Sequence, residues 1–339
     1  MRKMATIRKI DAIAPIEGAD AIEVATIGGW KVVIKKGEFQ VGDSAIYCEI
    51  DSWIPTELAP FLSKGKEPRE FEGIKGERLR TVKLRGQLSQ GLLIPLGIGV
   101  YDVNAELDEG TDVSERLGIV KWERPMNAQL AGMAKGNFPS LIPKTDQERV
   151  QNLVKEIASA GNMTFEVTEK LEGSSMTCYL IDGVFGVCSR NLDLKETADN
   201  TFWQIARRDN IEGKMRGLFG VDKDVAIQGE LIGPGIQGNI YKLTQPEFYV
   251  FDVYDVVSGS YLMPAFRRAI IEHMELNHVP VIADEKDLGI GTVDELLLWA
   301  EGVSTLNTKQ EREGIVFKQS RGGMTFKAIS NKYLLKSGD

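Results

Sequence analysis

Apolar and polar positions alternate in short runs over roughly the first 96 residues: MATIRKI, AIEVATI, WKVVIKK, SAIYCEI, LRTVKL and GLLIPL, broken by turn residues such as Gly28-Gly29 and Gly42-Asp43. A period of two marks half-buried strands, and glycine pairs mark the turns between them. Strands of this size and spacing predict a small closed or half-closed barrel of the OB-like type, whose strand face and loops commonly bind oligonucleotides. A short helical piece around 112–117 and an aperiodic Pro/Gly/Asn stretch at 125–143 follow, so the boundary is placed there, giving domains 1–122 and 123–339. Thr145 and Glu148 have the spacing of a capping box, and Val150, Leu153, Val154 and Ile157 recur at helical intervals, predicting a helix over 146–159. Beyond it FEVTEKLEG, SMTCYLIDG, VFGVCSRN, DVAIQGELIG, EFYVFDVYDV, GIVFKQS and MTFKAIS read as strands, with helices near 197–218, 264–276 and 292–302. The expected class is α+β: an amino-terminal OB-like barrel followed by an antiparallel sheet with flanking helices.

Composition narrows the function classes. A length of 339 residues suits two domains. No run approaches the ~18 apolar residues of a membrane helix, so a soluble protein without a membrane partner is expected. MRKMATIRKIDAIAP lacks the apolar core of a secretory leader, which makes an intracellular setting the expectation and leaves cytoplasm and nucleus undivided. Cys48, Cys178 and Cys188 are scattered and odd in number, against both a disulfide framework and a zinc site; they read as reduced core thiols. With only His273 and His278, read as a helix end and its following turn, serine–histidine catalysis and histidine-rich metal centres are disfavoured. The net charge of −8 excludes a protein coated in positive charge but not a local basic groove. Residues 62–86 carry Lys64, Lys66, Arg69, Lys75, Arg78, Arg80, Lys83 and Arg85 against Glu67, Glu70, Glu72 and Glu77. That stretch is either a phosphate-facing surface or a solvated loop and strand face.

The chemistry is carried by an ordered set of short motifs. Glu169-Lys170-Leu171-Glu172-Gly173 places a lysine where a strand enters a Gly-containing turn. After it come Ser189-Arg190-Asn191, Gly229-Glu230-Leu231-Ile232-Gly233, Phe251-Asp252, Glu313-Gly314-Ile315-Val316-Phe317-Lys318 and Phe326-Lys327. A lone KxxG is weak, but six elements in this order resemble the signature of the covalent nucleotidyltransferase superfamily, the polynucleotide ligases and mRNA capping enzymes. The amino-terminal half, ADAIEVATIGGWKVVIKKGEFQVGDSAIYCEIDSWIP with LRTVKLRGQLSQGLLIPL, resembles the OB-type domain of the nick-sealing RNA ligases of the Deinococcus and Naegleria type. An OB-type segment ahead of the motifs distinguishes this order from classical DNA ligases and capping enzymes, where it follows them.

The resemblance implies an ATP-dependent RNA ligase. Lys170 would attack ATP to give lysyl-AMP, the AMP would pass to a 5′-phosphate, and a 3′-OH on an RNA strand of a nicked duplex would displace it. Keeping a lysine of ordinary pKa neutral at pH 7 costs on the order of 4–5 kcal/mol, and no histidine is placed to act as base. A Mg²⁺ or Mn²⁺ ion held by Glu230 and Glu313 would supply the positive charge, if need be through water. Arg190, Lys318 and Lys327 would neutralise phosphates, and Phe251 is either core or an aromatic face stacked on adenine. Glu169 and Gly173 complete the nucleotide site, Glu169 reading adenine or ribose; Glu172 is a further turn carboxylate. Ile329 stands where many ligases carry a second lysine, leaving that role open to Lys332 or Lys336. One active site per nick suggests a monomer. A DNA ligase, a capping guanylyltransferase and a noncatalytic nucleic-acid binder are the alternatives.

Overall fold

The computed structural model describes residues 2–97, 107–124, 131–289 and 291–337. The chain divides into two compact units: Met1–Arg124 with Val150–Lys155 and Asn331–Asp339, and Pro125–Arg149 with Glu156–Ser330. Two short segments distant in sequence thus join the amino-terminal unit, a grouping that no local pattern announces.

In the first unit the alternating runs form short antiparallel sheets. Ala5–Lys9, Ser44–Cys48 and Leu92–Pro95 make one, and Val120–Lys121, Ser52–Pro55, Ile74–Arg78 and Arg69–Phe71 a second. Ala12–Pro15, Ile22–Ile27 and Trp30–Lys35 make a third, the last two joined through Gly28-Gly29. Thr81–Leu84 and Gln87–Gln90 form a separate hairpin turning at Arg85-Gly86, both with positive φ. Inward positions of the first two of these sheets, Ile7, Ile46, Cys48, Ile54 and Ile94 among them, meet in one apolar core with Leu117. The helical piece expected around 112–117 is a single 3-10 turn, Glu115–Leu117.

The second unit is built on two sheets. The larger runs Ala134–Asn137, Leu192–Leu194, Val184–Cys188, Ser174–Ile181, Val225–Ile232, Glu247–Asp255 and Ser260–Tyr261, with Asn277–His278 also paired to Glu247–Asp255. Helices Thr201–Arg208, Ile211–Phe219 and Pro264–His273 cover it, sending Trp203, Ile205, Met215 and Ile271 onto Met176, Ile227 and Val250. The smaller sheet runs Glu148–Arg149, Thr325–Ile329, Gly314–Gln319, Thr164–Lys170 and Val281–Asp287. One of its faces packs Phe165, Phe317 and Phe326 together with Trp299 of helix Val293–Ala300.

The helix expected over 146–159 is largely absent. Glu148–Arg149 is extended and pairs in parallel with Phe326–Lys327, Val150–Asn152 is a 3-10 turn, and only Val154–Ser159 is α-helical. Sheet pairing from a distant segment overrides the local period there. A capping box does form at Thr292, whose hydroxyl accepts from the Glu295 N–H while the Glu295 carboxylate accepts in return. All three cysteines are buried free thiols.

Candidate active site

Lys170 ends strand Thr164–Lys170, and the register sets it opposite Gly314. Glu313 therefore lies beside it, and Lys170 Nζ is 2.6 Å from Glu313 Oε1. The chain then turns through Leu171–Gly173 into the larger sheet, where Ser175 pairs with Glu230. A Cβ on Gly173 would sit 2.4 Å from the Leu231 carbonyl oxygen and 2.9 Å from Glu230 Cγ. Only glycine lets the turn pass this close, and the Gly173 N–H donates to the Glu230 carboxylate. This turn joins the two sheets and carries Glu230 of one toward Lys170 of the other.

Burial draws the Lys170 pKa down, but attraction by Glu313 and Glu230 and the hydrogen bond to Glu313 outweigh it and leave the group above the ordinary lysine range. Lys170 is thus an ammonium in the protein by itself. Glu230 is pushed up to about 8, chiefly by burial and also by Glu313, while Lys170 and Arg190 pull it down. Lys170 and both carboxylates form one group short of positive charge. Among the described residues no group of three or more His, Cys, Asp or Glu side chains is arranged to hold a metal ion. Two carboxylates do not make a closed cage, yet they fit a hard divalent cation that takes its remaining oxygens from phosphate and water.

Strand registers place further cations on the same sheet face. Pairing of Glu166 with Lys318, Thr168 with Val316 and Val316 with Lys327, together with Arg149 opposite Lys327, puts Lys170, Lys318, Lys327 and Arg149 on one side. Lys318 is buried and donates to the Phe251 carbonyl at 2.6 Å; its Nζ lies 2.6 Å from Asp252 Oδ1 and 5.4 Å from the Phe251 ring centroid. Burial lowers its pKa to about 8 against the pull of Asp252, with Arg267 assisting. Phe251 is half-buried beside an apolar cluster that includes Leu171, Ile232, Tyr241 and Val279.

Asp252 belongs to a buried charge network that the sequence did not reveal. Arg267, fully buried on helix Pro264–His273, pairs with Glu166, lies 3.6 Å from Asp252 and donates from Nε to His278 Nε2 at 3.2 Å. Arg268 bridges Glu166 at 2.6 Å and Asp284 at 2.5 Å. His278, expected to be a turn residue, is a member of this network, and burial and Arg267 lower its pKa to about 4. Arg149 was also missed, since the helical period at 146–159 hid it; its buried guanidinium acts on Lys170 by lowering the pKa.

The remaining expected residues divide. Arg190 pairs with Asp146 at 2.9 Å and lines a cavity with Lys144, Thr145, Ser175, Thr177 and Gln228, next to Glu230 along the same strands. Glu169 alternates to the sheet face opposite Lys170; it is 1% exposed, and its Oε2 accepts from the Thr305 N–H at 2.7 Å. The Glu172 N–H donates to the Tyr241 hydroxyl at 2.6 Å. Ile329 is buried in the row of Lys170 and Gly314, whereas Lys332 and Lys336 belong to helix Asn331–Ser337, grouped with the first unit. Of the basic stretch, Arg78 is an interior group: it pairs with Asp51 at 2.7 Å and stacks 3.9 Å over the Trp122 ring.

Residues 4–96 match a family described as an OB-fold domain. Residues 163–334 match the family described as RNA ligase. The chain belongs to the RNA ligase family. No curated protein sequence matches it, but solved structures do. A Naegleria gruberi RNA ligase with PPi is 46% identical, with a TM-score of 0.92 and 100% of each chain covered. A lysine-to-alanine mutant of that enzyme with ATP and Mn, and a glutamate-to-alanine mutant with AMP and Mn, are each 46% identical with TM-scores of 0.90 and 98% of each chain covered. The fold of this ligase is therefore α+β, an OB-fold domain followed by an antiparallel-sheet ligase domain. No helix among its described residues is long and apolar enough to cross a membrane.

Proposed function

We propose that this RNA ligase uses ATP to seal 3′-OH/5′-phosphate nicks in duplexes that carry an RNA strand on the 3′-OH side, acting as a monomer through a lysyl-AMP intermediate on Lys170. The observation that carries the reading is the Lys170–Glu313 contact at 2.6 Å, with Glu230 brought alongside by the Gly173 turn. The Lys170 amine attacks the α-phosphorus of ATP, the bond to pyrophosphate breaks, and AMP remains on the lysine. A 5′-phosphate oxygen then takes the AMP, and the 3′-OH displaces it to form the phosphodiester. Lys318, Lys327 and Arg190 neutralise phosphate charge, and positioning with electrostatics supplies most of the rate.

Glu230 and Glu313 would hold Mg²⁺ or Mn²⁺, whose charge would disfavour the ammonium form of Lys170 and stabilise the α-phosphate. Such charge is needed because Glu313 and Glu230 raise the Lys170 pKa and favour its ammonium form. Phe251 offers its half-buried ring to adenine, within reach of the Lys318 ammonium. Glu169, buried on the opposite face, holds the Thr305 loop, and its part in adenine or ribose recognition runs through that loop.

The test is incubation with Mg²⁺ or Mn²⁺ and ATP labelled at the α-phosphate, beside Lys170→Met and Glu313→Ala. Label on the wild type that is absent from both variants is expected. A wild type that takes no label while folded would sink the proposal.

A further inference from the structure

In a chain with 49 acidic against 41 basic residues, positions 78–101 contain no Asp or Glu, and neither do positions 314–338. The first unit brings parts of both together: helix Asn331–Ser337 packs against strand Thr81–Leu84, and Gln90 donates to Asn331 Oδ1 at 3.2 Å. The base of hairpin Thr81–Gln90 is fixed, because Gln90 is buried, its carbonyl accepts from the Tyr47 hydroxyl, and Ser89 Oγ accepts from the Val33 N–H. Its outer half is exposed, with Lys83 on the face opposite Val82 and Leu84 and Arg85 at the turn.

Several surface arginines elsewhere are matched: Arg69 with Glu77 at 2.5 Å, Arg190 with Asp146, Arg207 with Glu196 at 2.6 Å, Arg216 with Glu212 at 2.8 Å and Arg268 with Asp284, while Arg321 is exposed without an ion pair among the described residues. Arg80, Lys83 and Arg85 are exposed and make no ion pair among the described residues. Cations kept free of carboxylates on a fixed, projecting arm are available to release the counterions of a phosphate backbone.

We infer that hairpin Thr81–Gln90 is the arm by which the amino-terminal unit grips the phosphate backbone of the RNA substrate, with Arg80, Lys83 and Arg85 as the contacts. This rests on the ligase reading and narrows the basic surface: in the preceding half of the stretch Arg69, Lys75 and Arg78 are paired with Glu77, Glu67 and Asp51, Lys64 and Lys66 stand outside the hairpin, and the three cations of the arm make no ion pair among the described residues.

The experiment compares wild type, Arg80→Ala/Lys83→Ala/Arg85→Ala and the charge-preserving Arg80→Lys/Lys83→Arg/Arg85→Lys. Each is assayed for labelling with α-labelled ATP, for binding a nicked RNA duplex from 50 to 200 mM salt, and for sealing a preadenylylated nick. At about 0.7–0.9 per phosphate contact, the alanine variant should lower the slope of log K against log salt by about 2–3 and weaken binding at 100 mM salt by on the order of 10²-fold. Labelling should stay within about twofold, and the charge-preserving variant should keep the wild-type slope. An alanine variant that labels normally and keeps both slope and affinity would overturn the arm alone. A wild type that fails to label would overturn the ligase reading and the arm with it.

Discussion

Replacing Arg267 by methionine tests whether the buried network is a balanced unit. Glu166, Asp252 and Asp284 oppose Arg267, Arg268 and Lys318, so the cluster is neutral with His278 uncharged. Methionine approximates the shape and leaves one net negative charge inside. Removing one partner of a buried pair costs about 3–5 kcal/mol. The low end applies, because Glu166 keeps Arg268 at 2.6 Å and Asp252 keeps Lys318 at 2.6 Å. For a unit of this size a loss of about 3 kcal/mol lowers the midpoint of thermal unfolding by roughly 6–12 °C. Urea and thermal unfolding at pH 7 measure it, and Arg267→Met/Glu166→Gln, which restores neutrality, should recover at least half. A single variant that loses less than about 1 kcal/mol, or a double variant no better than the sum of its singles, would refute the idea of a balanced cluster.

Two further outcomes are expected. Gly173→Ala should cut adenylylation by on the order of 10²-fold or more, because a Cβ 2.4 Å from the Leu231 carbonyl oxygen forces the turn away from Glu230; label per minute at saturating ATP measures it, and a near-normal rate contradicts it. The folded-state pKa of His278 lies near 4, below the 6.5 of an unfolded chain, so its contribution is fully present above pH 6.5 and is lost as pH falls toward 4. The loss is on the order of 3 kcal/mol, and a pH series of urea midpoints for wild type and His278→Gln should show the slope only in the wild type.

Lys170, Glu313, Glu230 and Lys318 were legible because the residues on either side fix them: a strand running into a Gly-containing turn, then a Gly-Ile-Val-Phe strand with carboxylate and lysine at its ends. Where two signals competed, the local one lost. Thr145 and Glu148 had capping-box spacing and the following apolar residues a helical period, yet Glu148–Arg149 pairs with Phe326–Lys327, more than a hundred residues away. The same mistake concealed Arg149. Arg267 and His278 were illegible for another reason: Arg267 stands in no motif and His278 reads as a turn residue, and only the packed sheet shows that they share one interior. The eight cations of 62–86 read alike in sequence, and only the packed structure separates Arg78, locked against Asp51 and Trp122, from Arg80, Lys83 and Arg85, which make no ion pair among the described residues.

The register that sets Lys170 opposite Gly314 has a consequence for biosynthesis. Lys170 and Glu313 meet only after the chain between them has been made and strand Gly314–Gln319 has added to Thr164–Lys170, a long-range closure of the kind that slows folding. A nascent chain that has not yet released that strand holds Lys170 without Glu313. On the proposed lysyl-AMP route such a chain would not load AMP, so covalent label would count finished molecules.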